Sequence, residues 1–236
     1  MSSVMTRSRS VHPRIIAVLA LLLLTALYGV ATDLPHIVVP CGSPVTPDGT
    51  IEEVEWEESH LIHVSARCTL HLVHDGEFLY LGIRSGGRGF ASPFIVQSDS
   101  VRVLHASAAL GTASYETING TWALFSGFDA WACRDAELSP LELSENRAAF
   151  LEQHGWIAST GGMGTSNEVE YVIKLQPAPT RMLLLYYDSG SLPRTIAWPE
   201  VSAWMALYRQ LLDGALPEEM PFRIERWATL QIDVCR

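Results

Sequence analysis

The chain has 236 residues, 48% hydrophobic, 9% aromatic and only 18% charged, which is enough apolar material for a buried core and excludes a disordered tail. Its 16 Lys and Arg stand against 26 Asp and Glu, a formal charge of −10. That balance argues against a nucleic-acid or anionic-membrane partner, because both demand a basic face.

At the N-terminus, Arg7, Arg9 and Arg14 precede an apolar run from Ile15 to Ala31 that ends in Gly29-Val30-Ala31. This order of positive n-region, apolar h-region and small-residue cleavage site reads as an export signal over residues 1–31. Its removal takes three Arg and no acid, leaving 13 basic against 26 acidic residues and a formal −13. The alternative is an uncleaved N-terminal anchor, since 17 residues sit near the lower limit, about 17, for a spanning helix. An anchor of that kind is the one expected link to a membrane. Residues 32–43 read as a short linker, and 44–236 as one domain with helical insertions.

From Thr50 onward, short apolar segments alternate with Gly, Asp, Ser and Pro punctuation. Candidate strands run from Ile62 to Ala66, Thr69 to His74 and Glu77 to Arg84. Asp75-Gly76 lies between the last two, a hairpin signal because the turn needs positive φ. The glycine-rich Ser85 to Gly89 reads as a loop. Further strands are expected at Ser100 to Ala106, Ala113 to Ile118 and Thr121 to Phe125. A helix capped by Ser144 should run to His154 and stop at Gly155. Gly161 to Gly164 reads as another loop, lacking the Lys of a phosphate-binding loop. In the next strand, Val169, Tyr171, Ile173 and Leu175 share one face, while Glu168, Glu170 and Lys174 point the other way. A strand from Met182 to Tyr187 follows. A second helix from Pro199 to Asp213 carries a stripe of Trp204, Leu207, Tyr208, Leu211 and Leu212, and a last strand runs from Trp227 to Val234. Strands and helices do not alternate, so the fold class is all-β: an antiparallel β-sandwich with two peripheral helices.

Four cysteines in an exported chain predict two disulfides. The nested pairing, Cys41 with Cys235 and Cys68 with Cys133, suits a fold whose ends lie side by side. No CxxC pair supports zinc. His60 with His63, and His71 with His74, repeat an HxxH spacing, but residues three apart on a strand face opposite sides of the sheet. The acids Glu52, Glu53, Glu55, Glu57 and Glu58 around Trp56 read as a solvated face around one buried ring. GxSxG, GxxxxGK[ST] and HExxH motifs are missing, so no enzyme activity is expected. Asn119-Gly120-Thr121 has the form of a glycosylation sequon.

Seven Trp and seven Tyr exceed what the core of such a domain requires. Trp56 and Trp227 sit at core-like positions. Trp122, Trp131, Trp156 and Trp198 lie near predicted loops or strand ends and are the candidates for stacking on sugar rings.

Several segments in order resemble the carbohydrate-binding module family 9-like domain of the DOMON-like group. They are Thr46-Pro47-Asp48-Gly49-Thr50-Ile51 with Glu55-Trp56, then His74-Asp75-Gly76-Glu77-Phe78-Leu79-Tyr80-Leu81-Gly82-Ile83, then Asp99-Ser100-Val101-Arg102-Val103. Asn167 to Leu175 and the closing Trp227 to Ile232 complete the set. The resemblance implies a secreted, periplasmic or envelope β-sandwich that binds a glycan or another extracellular ligand, at times with a structural calcium ion. A related branch carries haem, for which Met163, Met182, His105 and Lys174 are the available axial ligands. A third alternative is an envelope interaction protein with no small-molecule site.

Overall fold

The structure, a computed structural model, describes residues 34–107, 109–131, 140–161, 166–176, 180–188, 194–199, 210 and 215–235. The expected export signal, nearly all of the second helix, Cys133 and Met163 lie outside these residues. No helix among the described residues is long and apolar enough to cross a membrane.

The chain is all-β, with strands β1 (His36–Val39), β2 (His60–Ser65), β3 (Cys68–His74), β4 (Phe78–Gln97), β5 (Ser100–Ala106), β6 (Leu110–Ile118) and β7 (Thr121–Trp131). Helix α1 (Pro140–His154) follows, covering the helix expected from Ser144 to His154. Then come β8 (Trp156–Thr160), β9 (Ser166–Lys174), β10 (Thr180–Asp188), β11 (Arg194–Trp198), β12 (Glu219–Met220) and β13 (Ala228–Ile232). The backbone path of one open sheet runs β1-β13-β10-β4-β5-β6-β7-β12, and β2, β3, β8, β9 and β11 pair beside it. The strand pairs are antiparallel except β1 with β13, which is parallel.

The organising element is β4, 20 residues long. In its first half Leu79 pairs with His74 of β3 and with Ile173 of β9. In its second half Phe94 pairs with Leu183 of β10 and with Val103 of β5. The change of partners falls at Ser85–Gly89, the segment expected to be a loop, where the register with β9 shifts between Arg84 and Gly89. Glycine serves close approach here rather than chain reversal. A Cβ on Gly89 would lie 1.9 Å from the Tyr187 carbonyl oxygen, and one on Gly87 would lie 2.3 Å from Asp188 Oδ1. The turns that do reverse the chain follow their signals: Gly76 has φ +96°, and Asn119-Gly120 between β6 and β7 has φ of 52° and 82°.

The larger core cluster draws on both groups of strands, joining Leu70, Leu81 and Tyr171 to Leu104, Met182 and Leu230. Tyr171 Oη donates to the Ala91 carbonyl at 2.6 Å, from β9 to the second half of β4. A smaller cluster lies on the other face of the second group. There Phe94, Val103, Tyr115, Leu183 and Leu185 pack under Met220, Phe222 and Trp227 of the C-terminal segment.

Residues 36–39, expected in the linker, instead form β1, whose His36 pairs with Thr229 and Val39 with Ile232. This side-by-side placement of the two ends lets Cys41 and Cys235 form a disulfide, Cα to Cα 5.2 Å. The second expected bond is corrected: Cys68 is a free, buried thiol, and Cys133 lies outside the described residues. Burial, followed by the Asp188 charge, pushes the Cys68 thiol up to about 12, so it stays protonated. Because the Cys41–Cys235 link closes a loop of 194 residues, replacing Cys235 by Ser should cost about 2–4 kcal/mol. Denaturant unfolding under non-reducing conditions checks this, and an unchanged midpoint would contradict it.

Candidate functional site

Of the four tryptophans proposed for stacking, the three whose side chains are described, Trp122, Trp156 and Trp198, do not come together. Trp156 is fully buried, its Nε1–H donating to Thr112 Oγ1 at 2.8 Å and its ring stacked on Tyr171 at 5.8 Å. It is a core residue with no face to offer, a correction of the expectation for it. Trp198 is half-buried and packs on the larger cluster. Trp122 packs on the smaller cluster, where its ring meets Phe222 edge-on at 6.0 Å. Trp131 pairs with Leu110 through the backbone, and its side chain lies outside the described residues.

A different set of rings does assemble. Tyr187 of β10, Phe90 of β4, His105 of β5 and Phe128 of β7 form a row across the sheet. The centroid distances are 5.1 Å from Tyr187 to Phe90, 5.4 Å from Phe90 to His105 and 5.8 Å from His105 to Phe128. Strand parity creates the row: Tyr187 follows Leu183 and Leu185 at period two, Phe90 precedes Phe94, and His105 follows Val101 and Val103. All four therefore continue the face of the smaller cluster beyond the end that Phe222 and Trp227 cover. Gly111 supplies the gap in β6, since a Cβ there would stand 3.1 Å from the Phe128 ring.

Each of the four rings is half-buried, so packing fixes its body while part of its surface stays open. Tyr187 and Phe90 are inclined by 31°, whereas Phe90 meets His105 edge-on at 76°. His105 Nδ1 lies 2.9 Å from Ser92 Oγ, and burial pushes its pKa down to about 4. The imidazole is therefore neutral at pH 7 and behaves as a flat polar ring. Sequence reasoning missed this row because it looked for tryptophan near loops, and no local motif links residues 90, 105, 128 and 187.

The segment resembling the opening motif of the family 9-like modules has a structural task. Glu170 Oε2 accepts the N–H groups of Asp48 at 2.9 Å and Gly49 at 2.8 Å, and Oε1 accepts Trp56 Nε1–H at 3.1 Å. Glu168 accepts Arg84 Nε–H at 2.7 Å and the Ile51 N–H at 3.3 Å. Gly49, at φ +94°, presses so closely on the end of β8 that a Cβ would lie 2.4 Å from the Thr160 carbonyl carbon. The sequence places Glu170 on the strand face away from Tyr171. It does lie opposite Tyr171, but the 48–56 segment covers it and leaves the residue with no exposed surface.

The remaining expected ligands are scattered. Met182 is buried in the larger cluster, His105 lies on the opposite face of the same group of strands, and Lys174 is exposed on β9. Cys41, His74 and Cys235 hold their side-chain donor atoms within 4.8 Å of one another, the one such group among the described residues, but its two sulfurs are joined.

No protein-family profile and no curated protein matches the chain. A solved structure from Bacteroides uniformis, named "putative carbohydrate-binding protein", is similar with a TM-score of 0.44 and 11% identity, covering 85% of this chain and 100% of its own.

Burial pushes the Glu170 carboxyl up, against the pull of its Gly49, Trp56 and Asp48 donors, from 4.5 to about 7. The folded state then binds a proton that the unfolded state releases. The stabilising contribution is complete below about pH 4.5 and is lost as pH rises through about 7, a difference on the order of 3 kcal/mol. The Glu170→Gln variant should show a flatter stability profile between pH 4.5 and 7 than the wild type. Parallel profiles in pH-dependent urea unfolding would contradict this assignment.

Proposed function

We propose that the protein is an exported, non-catalytic glycan-binding module, with the partly exposed row Tyr187, Phe90, His105 and Phe128 as its stacking surface. The observation that carries this reading is the row itself: four ring side chains from four strands, in contact one after another along one face of the sheet, with Tyr187 and Phe90 inclined by only 31°. Pyranose rings present apolar C–H patches that stack on such surfaces. Rings held by packing lose little side-chain freedom on binding. The neutral His105, with Ser92 beside it, adds hydrogen-bonding capacity within the row.

The architecture fits the reading. Two groups of strands that share β4 and contribute to one large core cluster accord with the layers of an antiparallel sandwich. Export accords with the signal-like residues 1–31 and with the Cys41–Cys235 disulfide, since such bonds persist in oxidising compartments. The order of motifs resembling the family 9-like modules supports the same class of ligand.

Isothermal titration against neutral cello-, xylo- and manno-oligosaccharides tests the proposal. Phe90→Ala and Tyr187→Ala should each weaken binding by about ten-fold, or about 1.4 kcal/mol. Phe125→Ala, which removes a 67% exposed ring from β7, should leave affinity unchanged. Absence of binding by the whole panel, or equal affinity in all three variants, would refute the reading.

A further inference from the structure

An open cleft of about 530 Å³ lies beside the β2–β3 turn and the middle of β4. Its lining includes His63 and Ser65 of β2, Arg67 of the turn, Thr69 of β3, and Arg84 and Ser85 of β4. Two guanidiniums and an imidazole meet here with no carboxylate among the lining residues, in a chain where acids outnumber Lys and Arg by 26 to 16.

Both arginines are held in place from behind. Arg84 donates from Nε to Glu168 at 2.7 Å and from Nη2 to the Ile51 carbonyl. Arg67 donates from Nη2 to the Gly86 carbonyl at 2.9 Å and stands 4.0 Å from Asp188. Glu168 and the Ile51 carbonyl thus fix the Arg84 plane, and the Gly86 carbonyl anchors one nitrogen of Arg67, with no carboxylate entering the cleft. These contacts leave Nη1 of each guanidinium without a protein partner among the described residues. The side chains remain 55% and 40% exposed for Arg67 and Arg84. The buried thiol of Cys68 at the base is protonated and adds no negative charge.

We infer that this cleft is a binding site for a small carboxylate-bearing ligand of sugar-acid size, held by the fork donors of Arg67 and Arg84. A planar carboxylate matches the planar donor geometry of guanidinium. The volume falls within the range of small-molecule sites, about 300–1,000 Å³. Because Glu168 and Asp188 offset the positive charges, recognition rests on oriented N–H donors more than on net charge. Prior fixing of both arginines lowers the ordering cost of binding. The hydroxyls of Ser65 and Thr69 suit the remaining hydroxyls of a sugar acid, whereas that of Ser85 is taken up by the Gly87 backbone. The site is independent of the aromatic row, so failure of one reading leaves the other standing.

The test uses D-glucuronate as probe against the folded mature protein, followed by backbone amide shifts, with D-glucose as the uncharged control. Saturable shifts at Thr69, Ser85 and Gly86 with glucuronate, and none with glucose, are expected. Arg67→Gln should weaken glucuronate binding about ten-fold or more. Arg67→Lys, which keeps the charge but loses the fork, should fall well short of wild type. The partly exposed position of Arg67 makes both variants compatible with the fold, and the spectrum away from the cleft verifies it. No saturable shift, equal shifts with glucose, or wild-type affinity in either variant would overturn the proposal.

Discussion

The structure depends on a pairing constraint along one strand. β4 runs for 20 residues through the interior, and every buried N–H and C=O along it needs a partner. β3 and β9 satisfy its first half, and β10 and β5 its second. The two groups of strands are therefore joined by continuous backbone rather than by a linker. At the changeover the chain must pass close to Tyr187 and Asp188, and Gly87 and Gly89 give the backbone that room.

The same constraint aligns the aromatic row. Phe90 sits one residue beyond Gly89, paired with Tyr187, so the glycine that permits the close approach also places the first two rings side by side. His105 and Phe128 extend the row because β5 and β7 keep their face toward the smaller cluster. On β9, Glu168 and Glu170 use their hydrogen-bonding capacity to pin the 48–56 segment onto the sheet. The motif residues Asp48, Gly49 and Trp56 are thus scaffold.

Much of the fold is legible in the sequence where alternation is regular. Leu79, Leu81 and Ile83 mark β4, and Asp75-Gly76 and Asn119-Gly120 mark turns with positive φ. The parallel pairing of β1 with β13 follows from the same topology that brings Cys41 to Cys235, although β1 itself is hidden by its four-residue length. β8 is missed because Trp156–Thr160 is buried throughout and shows no alternation. Ser85–Gly89 misleads because glycine signals either reversal or close approach, and only the neighbouring strand decides which. The candidate site was much less legible. Trp156 stands just after a helix stop, as a rim residue would, yet the Thr112 hydroxyl satisfies its indole inside the core. The row is invisible locally because its members are brought together by register across four strands.

The proposal that Tyr187, Phe90, His105 and Phe128 form the ligand-contacting face is tested by a map of amide and aromatic side-chain shifts on saturation with a neutral oligosaccharide. The largest changes should fall on those four residues, with little effect at Trp198 or Trp122. Changes centred on Trp198 and the opposite face, with the row unmoved, would contradict it.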